Sequence, residues 1–140
     1  MTILILEDEP SIMKLTSMIL EPLGHTILEA ATAEEALQQF EESDGRIDLL
    51  IADVTLPVSS GIEVALELRS LLPYLRIILT SGYPPHMWNE QDAAELSELP
   101  SDSVATLQKP FMPALLLQTV ARYVGMSSTA TAPRMKIAGN

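Results

Sequence analysis

The 140-residue sequence contains no cysteine and only two histidines, which excludes several kinds of chemistry. Without cysteine there is no disulfide, no thiolate metal site and no cysteine nucleophile. His25 opens a predicted strand and His86 lies in a polar loop without a second ligand residue near it, so we do not expect a zinc site. A chain that needs no disulfide agrees with a cytosolic protein.

Basic residues and long apolar runs are also scarce. Eight lysines and arginines stand against 19 aspartates and glutamates, giving a formal net charge of −11. Such a chain repels phosphate backbones and anionic lipid surfaces, so neither nucleic acid nor a membrane is expected as a partner. No apolar stretch approaches the roughly 18 residues of a membrane helix, and the N-terminus lacks the basic start of a signal peptide. We therefore predict a cytoplasmic protein that binds cations or basic proteins.

Apolar residues make up 47% of the sequence, enough for the core of one domain. Five short apolar runs have the character of buried strands, and they span residues 2–6, 25–30, 49–52, 75–79 and 104–108. Helical patterns lie between and after them, at residues 10–24, 32–43, 61–73 and 112–125, with a polar helix flanked by loops within 84–102. This alternation predicts an α/β fold, a doubly wound parallel sheet with helices on both faces.

Local signals add detail to the first two predicted helices. In the first helix, Ile12, Leu15 and Ile19 share one face and form the predicted buried stripe. In the second, Thr32 precedes Glu35 by three residues, which is the spacing of a capping box. We expect the Thr32 side chain to accept a hydrogen bond from the backbone of Glu35, and the Glu35 carboxylate to accept one from the backbone of Thr32.

The predicted domain covers residues 1–125. Its last helix is expected to end at Gly125, because glycine commonly follows the final helical turn. Residues 126–140 are mostly small or polar and show no apolar period, so we predict a disordered tail.

Chemically active side chains follow four of the five predicted strands. The first strand runs into Glu7 and Asp8, the third into Asp53, the fourth into Thr80 and the fifth into Lys109. Parallel strands bring these side chains to one edge of the sheet, where ligands of such folds bind. Carboxylates gathered there repel one another, and a hard divalent cation reverses that effect. Carboxylate oxygens and water are the ligands that Mg²⁺ prefers.

This set of residues suits an anion bound beside a metal. Asp53 would attack phosphorus, while Mg²⁺, Lys109 and Thr80 would neutralise the transferred phosphoryl oxygens. Taken singly each residue has a simpler explanation, since an Asp after a strand is usually a turn or N-cap residue. The joint pattern at four strand ends is what favours the functional interpretation.

Four sequence blocks now indicate a family. The stretches "ILILEDEP", "LLIADVTLPVSSG", "ILTSGY" and "LQKPF" resemble the motifs of the response-regulator receiver domain of two-component signalling, over about residues 1–125. The resemblance implies a flavodoxin-like sheet of five strands in the order 2-1-3-4-5. It also implies that Asp53 is the phosphoacceptor, that Asp8 binds Mg²⁺ directly and that Glu7 does so through water.

The same resemblance assigns the remaining site residues. The backbone carbonyl of Thr55 would bind the metal, Thr80 would contact the phosphoryl group and Lys109 would pair with a phosphoryl oxygen. The Lys109–Pro110 bond would be cis. Pro57 and Gly61 match the turn residues that follow the acceptor strand.

Three departures from the family pattern are visible. The family usually has a Tyr or Phe three residues before the lysine, and here that position is Thr106. The stretch between Thr80 and Lys109 is several residues longer than usual and carries an acidic run within 84–102. Residues 126–140 are too few for a DNA-binding module, so we expect output through protein–protein contacts.

The leading hypothesis is a phosphoacceptor that receives its phosphoryl group from a histidine kinase or a histidine phosphotransfer protein. It would catalyse only its own phosphorylation and dephosphorylation, so it is not classed as an enzyme. A receiver that works beside, or was cut from, a hybrid kinase is a close variant. The alternative is a non-phosphorylated pseudo-receiver that docks through 84–102. An aspartate-nucleophile phosphohydrolase would need a second Asp where Thr55 stands.

Overall fold

The computed structural model describes the backbone of residues 1–130 and the side chains of residues 1–123. The strands are β1 (Thr2–Leu6), β2 (Thr26–Ala30), β3 (Leu49–Asp53), β4 (Arg76–Ser81) and β5 (Val104–Gln108). The α-helices are α1 (Pro10–Leu20), α2 (Ala33–Glu42), α3 (Gly61–Leu71), α4 (Glu90–Ser97) and α5 (Pro113–Ala130). In this part of the chain, none of the helices combines the length and apolar character that crossing a membrane requires.

The strands form one parallel sheet in the order β2-β1-β3-β4-β5, so the predicted flavodoxin-like α/β fold is confirmed. The chain moves outward from β1 to β2 and then crosses to β3 on the other side of β1. This reversal creates a crevice beyond the carboxyl ends of β1 and β3. Leu6 lies beside Ala52, and Asp53 lies beside Thr80. The register therefore brings the predicted site residues to one edge.

Two apolar clusters cover the two faces of the sheet. One packs the sheet against α2, α3 and α4, and the other packs it against α1 and α5. A central strand of such a sheet is buried on both sides, and all five residues of β3 are buried. This burial explains why the run Leu49–Ala52 is continuously apolar, and it leaves Asp53 as an exception that needs a reason.

The predicted buried stripe of α1 was wrong at Leu15, whereas Ile12 and Ile19 are half buried and Ile19 packs against the core. The buried residues of this helix are Met13, Thr16 and Leu20, whereas Leu15 is 50% exposed. The helix carries apolar residues on two adjacent faces, so its periodicity alone could not select the face that packs on the sheet. Burial of Thr16 is possible because its hydroxyl donates a hydrogen bond to the Ile12 carbonyl at 2.8 Å.

Helix caps follow the sequence with one difference. The Thr32 hydroxyl caps α2 by accepting from the Glu35 N–H at 3.1 Å, as predicted. The Glu35 carboxylate accepts from the Ala31 N–H at 2.9 Å instead of the predicted Thr32 N–H. The complete capping box lies at α3, where Ser60 and Glu63 each accept from the other end of the box.

Helix α5 does not end at Gly125 and continues to Ala130. A glycine inside a helix costs about 1 kcal/mol relative to alanine, a penalty that neighbouring helical turns can absorb. The predicted disordered tail is therefore corrected for residues 126–130, which belong to α5. Residues 131–140 lie outside the described residues, so the prediction is not tested there.

Candidate functional site

Asp53 is the last residue of β3, and its carboxylate is held by two donors. The Thr55 N–H donates to Oδ1 at 3.0 Å, and Lys109 Nζ donates to Oδ2 at 3.0 Å. Asp53 is only 6% exposed. The buried carboxylate is thus fixed in orientation at the carboxyl end of its strand, beside the crevice.

Lys109 lies between two carboxylates. Its Nζ is 2.8 Å from Glu7 Oε1 and 3.0 Å from Asp53 Oδ2, and these are the only ion pairs among residues 1–123. The second Glu7 oxygen accepts from the Glu9 N–H at 3.2 Å. Among residues 1–123, oppositely charged side chains therefore lie in contact only here, beyond the ends of β1, β3 and β5.

Burial and neighbouring charges shift the pKa values of Glu7 and Lys109. Burial raises the pKa of Glu7, the nearby Asp53 charge raises it further, and the hydrogen bond from Lys109 only partly opposes these effects. Burial acts to lower the pKa of Lys109, but the hydrogen bonds to Glu7 and Asp53 outweigh it, so the pKa is raised. Lys109 therefore keeps its positive charge at neutral pH.

Glu7, Asp8 and Asp53 form a group that could hold a metal ion. Each offers one carboxylate oxygen, and these oxygens lie within 4.8 Å of one another. Glu7 and Asp53 are buried, whereas Asp8 is exposed and leaves the group open to solvent. A hard oxygen set with room for water is the chemistry that Mg²⁺ prefers, so these residues fit that ion.

The two threonines predicted for the site, Thr55 and Thr80, both lie beside Asp53. Thr80 is buried beside Asp53 in the register, and its hydroxyl is 3.5 Å from the Ala52 carbonyl. Thr55 is exposed and contributes its N–H to the Asp53 carboxylate. The prediction that the Thr55 carbonyl binds the metal stays a prediction. The Lys109–Pro110 bond is cis, as predicted.

Gly61, predicted only as a turn residue, packs directly against the backbone of Asp53. A Cβ on Gly61 would overlap the Asp53 carbonyl oxygen and lie 2.8 Å from the carbonyl carbon. Gly61 starts α3, and a Thr55–Ser60 bridge closes the loop that leads to it. The Ser60–Glu63 spacing was the available signal for this helix start. The absence of a side chain at Gly61 thus lets the start of α3 pack directly on the end of β3, where Asp53 lies.

A family comparison agrees with this geometry. The model of the response regulator receiver domain matches residues 3–121. The chain belongs to the response regulator receiver domain family. The membership predicted from the four sequence blocks is confirmed, and this receiver is a module of two-component signalling.

Similar full-length proteins include both kinases and regulators. The chain is 34% identical over 120 residues to the sensor kinase CckA of Brucella abortus, covering 85% of this chain and 12% of CckA. It is 31% identical over 120 residues to the regulatory protein VanR of Enterococcus faecium, covering 86% of this chain and 47% of VanR. The chain therefore spans less than half the length of either relative.

Solved receiver structures superpose well on the fold. The receiver domain of the hybrid histidine kinase CckA gives a TM-score of 0.72 at 31% identity, covering 89% of this chain and 99% of that one. The response regulator TrrA of Thermotoga maritima, solved in complex with Mg²⁺ and BeF, gives 0.69 at 32% identity, covering 87% and 97%. The fold thus resembles both the receiver domain of a hybrid kinase and a response regulator.

Proposed function

We propose that Asp53 of this receiver accepts a phosphoryl group from a phosphohistidine, with Mg²⁺ held by Glu7, Asp8 and Asp53. The observation that carries the proposal is the position of Asp53. Its carboxylate is buried at a strand end, lies 3.0 Å from Lys109 Nζ, and belongs to a carboxylate group whose oxygens fall within 4.8 Å. A solvated turn residue would need none of these neighbours.

The transfer exchanges one bond to phosphorus for another. An Asp53 oxygen forms the new O–P bond while the N–P bond of the donor breaks, and the imidazole nitrogen keeps that electron pair and takes a proton. Lys109 moves from Asp53 Oδ2 toward a phosphoryl oxygen, and the Thr80 hydroxyl donates to another. Bound Mg²⁺ supplies positive charge that offsets the repulsion between the carboxylates and the incoming phosphoryl group.

The similar proteins support the class of partner that we propose. CckA is a sensor kinase and VanR a regulatory protein, and histidine kinases or histidine phosphotransfer proteins are the donors proposed for this chain. The complex of TrrA with Mg²⁺ and BeF supports Mg²⁺ as the ion. Water attack on the aspartyl phosphate would return the receiver to its starting state, so it would act on itself and not as an enzyme on a separate substrate.

The output proposed for the receiver is contact with another protein, in the cytoplasm. The net charge of −11 argues against direct contact with nucleic acid. The acidic segment 84–102, which contains α4, offers a large exposed surface for such a contact.

The deciding experiment is intact-mass spectrometry after incubation with acetyl phosphate and Mg²⁺. One phosphoryl adduct is expected, and it should be lost in Asp53→Asn and in the absence of Mg²⁺. A matched control is Asp44→Asn, because Asp44 is an exposed aspartate in the turn after α2. No adduct, even with a phosphorylated histidine donor, would overturn the proposal and favour the pseudo-receiver alternative.

Metal binding has a separate readout. Millimolar Mg²⁺ should raise the free energy of unfolding, because the ion binds only where the three carboxylates are assembled. Asp8→Asn should weaken this stabilisation and leave metal-free stability unchanged or higher by less than about 1 kcal/mol, since an exposed repelling charge is removed. Equal stabilisation of the variant and the wild type by Mg²⁺ would place the ion elsewhere.

A further inference from the structure

A groove runs between α4 and the edge strand β5, away from the phosphoacceptor site. It has a volume of about 580 Å³. Leu96 lines it from α4, Leu99 and Pro100 line it from the turn after α4, and Val104 and Thr106 line it from β5. Most of these side chains are apolar, and Thr106 is exposed where the family usually has an aromatic ring.

The backbone of β5 presents free hydrogen-bonding groups along this groove. Lys109 N–H donates to the Ser81 carbonyl at 2.7 Å, which fixes the direction of alternate residues in the strand. Ala105, Leu107 and Lys109 thus direct their backbone groups toward β4, and Thr106 and Gln108 direct theirs outward. No hydrogen bond within the described part of the chain reaches these outward groups. An edge of this kind is a template for another strand.

The opposite edge of the sheet is different. On β2 the carbonyl of Glu29 accepts a hydrogen bond from Gln39 Nε2 at 3.1 Å, so a side chain of α2 covers the outward backbone. The Glu29 carboxylate accepts from the Ser17 hydroxyl at 2.7 Å, which places a charge on that edge. Covering groups and charges are how proteins blunt an edge strand. Of the two edges, β5 is therefore the less covered.

The segment that lines the groove carries acidic side chains and no basic ones. Between residues 84 and 108 the chain contains no lysine or arginine, and its acidic residues are Glu90, Asp92, Glu95, Glu98 and Asp102. Burial raises the pKa of Glu95, and the Glu63 and Asp92 charges raise it further, so acidic charge also surrounds α4 on its α3 side. A partner complementary to the surface therefore carries positive charge.

We propose that an extended, positively charged segment of a partner protein adds to β5 as a sixth strand of the sheet. Main-chain hydrogen bonds to Thr106 and Gln108 supply the pairing, and alternate apolar side chains of the segment enter the groove against Leu96 and Val104. Basic side chains at the ends of the segment lie near Glu98 and Asp102. The proposal does not depend on phosphorylation of Asp53, so each can fail without the other.

The test uses the full, unphosphorylated chain and a blocked peptide of alternating lysine and valine, about nine residues long, the upper range of a natural strand. Amide spectra and hydrogen exchange are recorded by NMR as the peptide is added. The N–H groups of Thr106 and Gln108 should exchange more slowly in the complex. Those of Ala105 and Leu107 should change little, because they already donate to β4. An alternating glutamate–valine peptide should not bind.

Two variants separate strand addition from general attraction. Thr106→Pro removes the outward N–H and should weaken peptide binding about tenfold, the effect of losing one pairing position. Thr106→Ala keeps that N–H and is the matched control. Proline is tolerated on an edge strand where its missing N–H faces solvent. Should Thr106→Pro not fold, Glu98→Lys with Asp102→Lys tests the charge requirement, with weaker binding expected.

Three results would overturn the inference. The first is binding of the peptide without slower exchange at Thr106 and Gln108. The second is equal affinity for a helix-forming peptide of lysine, leucine and alanine. The third is slower Thr106 exchange that grows with protein concentration in the absence of peptide, which would make the occupant a second copy of this chain.

Discussion

Both ends of the parallel sheet carry charged side chains, but the two ends use them differently. At the carboxyl ends, Glu7, Asp53 and Lys109 converge from three strands, with 2.8 and 3.0 Å between the lysine and the two acids. At the amino ends, polar side chains close the loops. Asp48 accepts from the Thr2 N–H at 2.8 Å, and Arg69 donates to the Leu75 carbonyl at 2.6 Å.

This difference separates function from stability. The carboxyl end keeps buried like charges together, an arrangement that costs stability and is suited to binding a cation and an anion. The amino end uses its polar groups to tie elements to one another. We therefore expect changes at the carboxyl end to alter phosphorylation strongly, and changes at the amino end to alter stability while phosphorylation persists.

The largest effect is expected at the contact between α3 and Asp53. Gly61→Ala would place a methyl group against the Asp53 backbone, so α3 or β3 must move. The free energy of unfolding should fall by about 4 kcal/mol, among the larger effects of single substitutions, and the phosphoryl adduct should nearly vanish. Gly82→Ala is the control, because an added Cβ there meets nothing within 4 Å. Equal urea midpoints for the two variants would contradict the contact.

Lys109→Met should have the next largest effect. It leaves Glu7 and Asp53 facing each other without a cation, which should cost about 3 kcal/mol in metal-free buffer, and phosphorylation should slow about 100-fold. Millimolar Mg²⁺ should restore part of the stability, because a cation again lies between the carboxylates.

Urea titrations with and without Mg²⁺ check the Lys109 prediction. Lys14→Met changes an exposed lysine of α1 and serves as the control. Stability that is indifferent to Lys109 would show that the two ion pairs contribute nothing.

A change at the amino end should give the opposite result. Arg69 donates from Nη2 to both the Leu75 carbonyl and the Ser103 hydroxyl at 2.6 Å, joining α3 to the starts of β4 and β5. Arg69→Met keeps the aliphatic stem and should lower the free energy of unfolding by about 1–2 kcal/mol. The extent of phosphorylation at saturating donor should equal that of the wild type. Arg46→Met, at an exposed arginine, should change neither quantity.

The smallest effect concerns pH. Burial lowers the pKa of His25 below its usual 6.5, and the positive N-terminal amino group lowers it further. The folded state then binds fewer protons than the unfolded state, so this contribution to stability is present above pH 6.5 and is lost as pH falls through the folded-state value. His25→Gln should flatten the stability profile between about pH 5 and 7. Thermal unfolding at several pH values measures this profile. If the variant keeps the wild-type slope of stability against pH, other groups cause the pH dependence.

The order of elements and the members of the site could be read from the sequence because both depend on local patterns. Apolar runs such as Leu49–Ala52 mark strands buried on both faces, and the residues that follow each run mark one sheet edge. The four motif blocks then identified the family and the role expected of Asp53. The face of α1 could not be read, because two of its faces are apolar and only packing on the sheet selects Met13 over Leu15.

The sequence by itself determined an acidic α/β receiver with Asp53, Glu7, Asp8, Thr80 and Lys109 at its strand ends. Tertiary structure decided that Lys109 bridges Glu7 and Asp53, a contact between residues 56 positions apart in the chain. It also decided that Gly61 must lack a side chain and that β5 keeps an open edge beside α4. These features rest on distances between separate segments, which are set only when the strands and helices pack together.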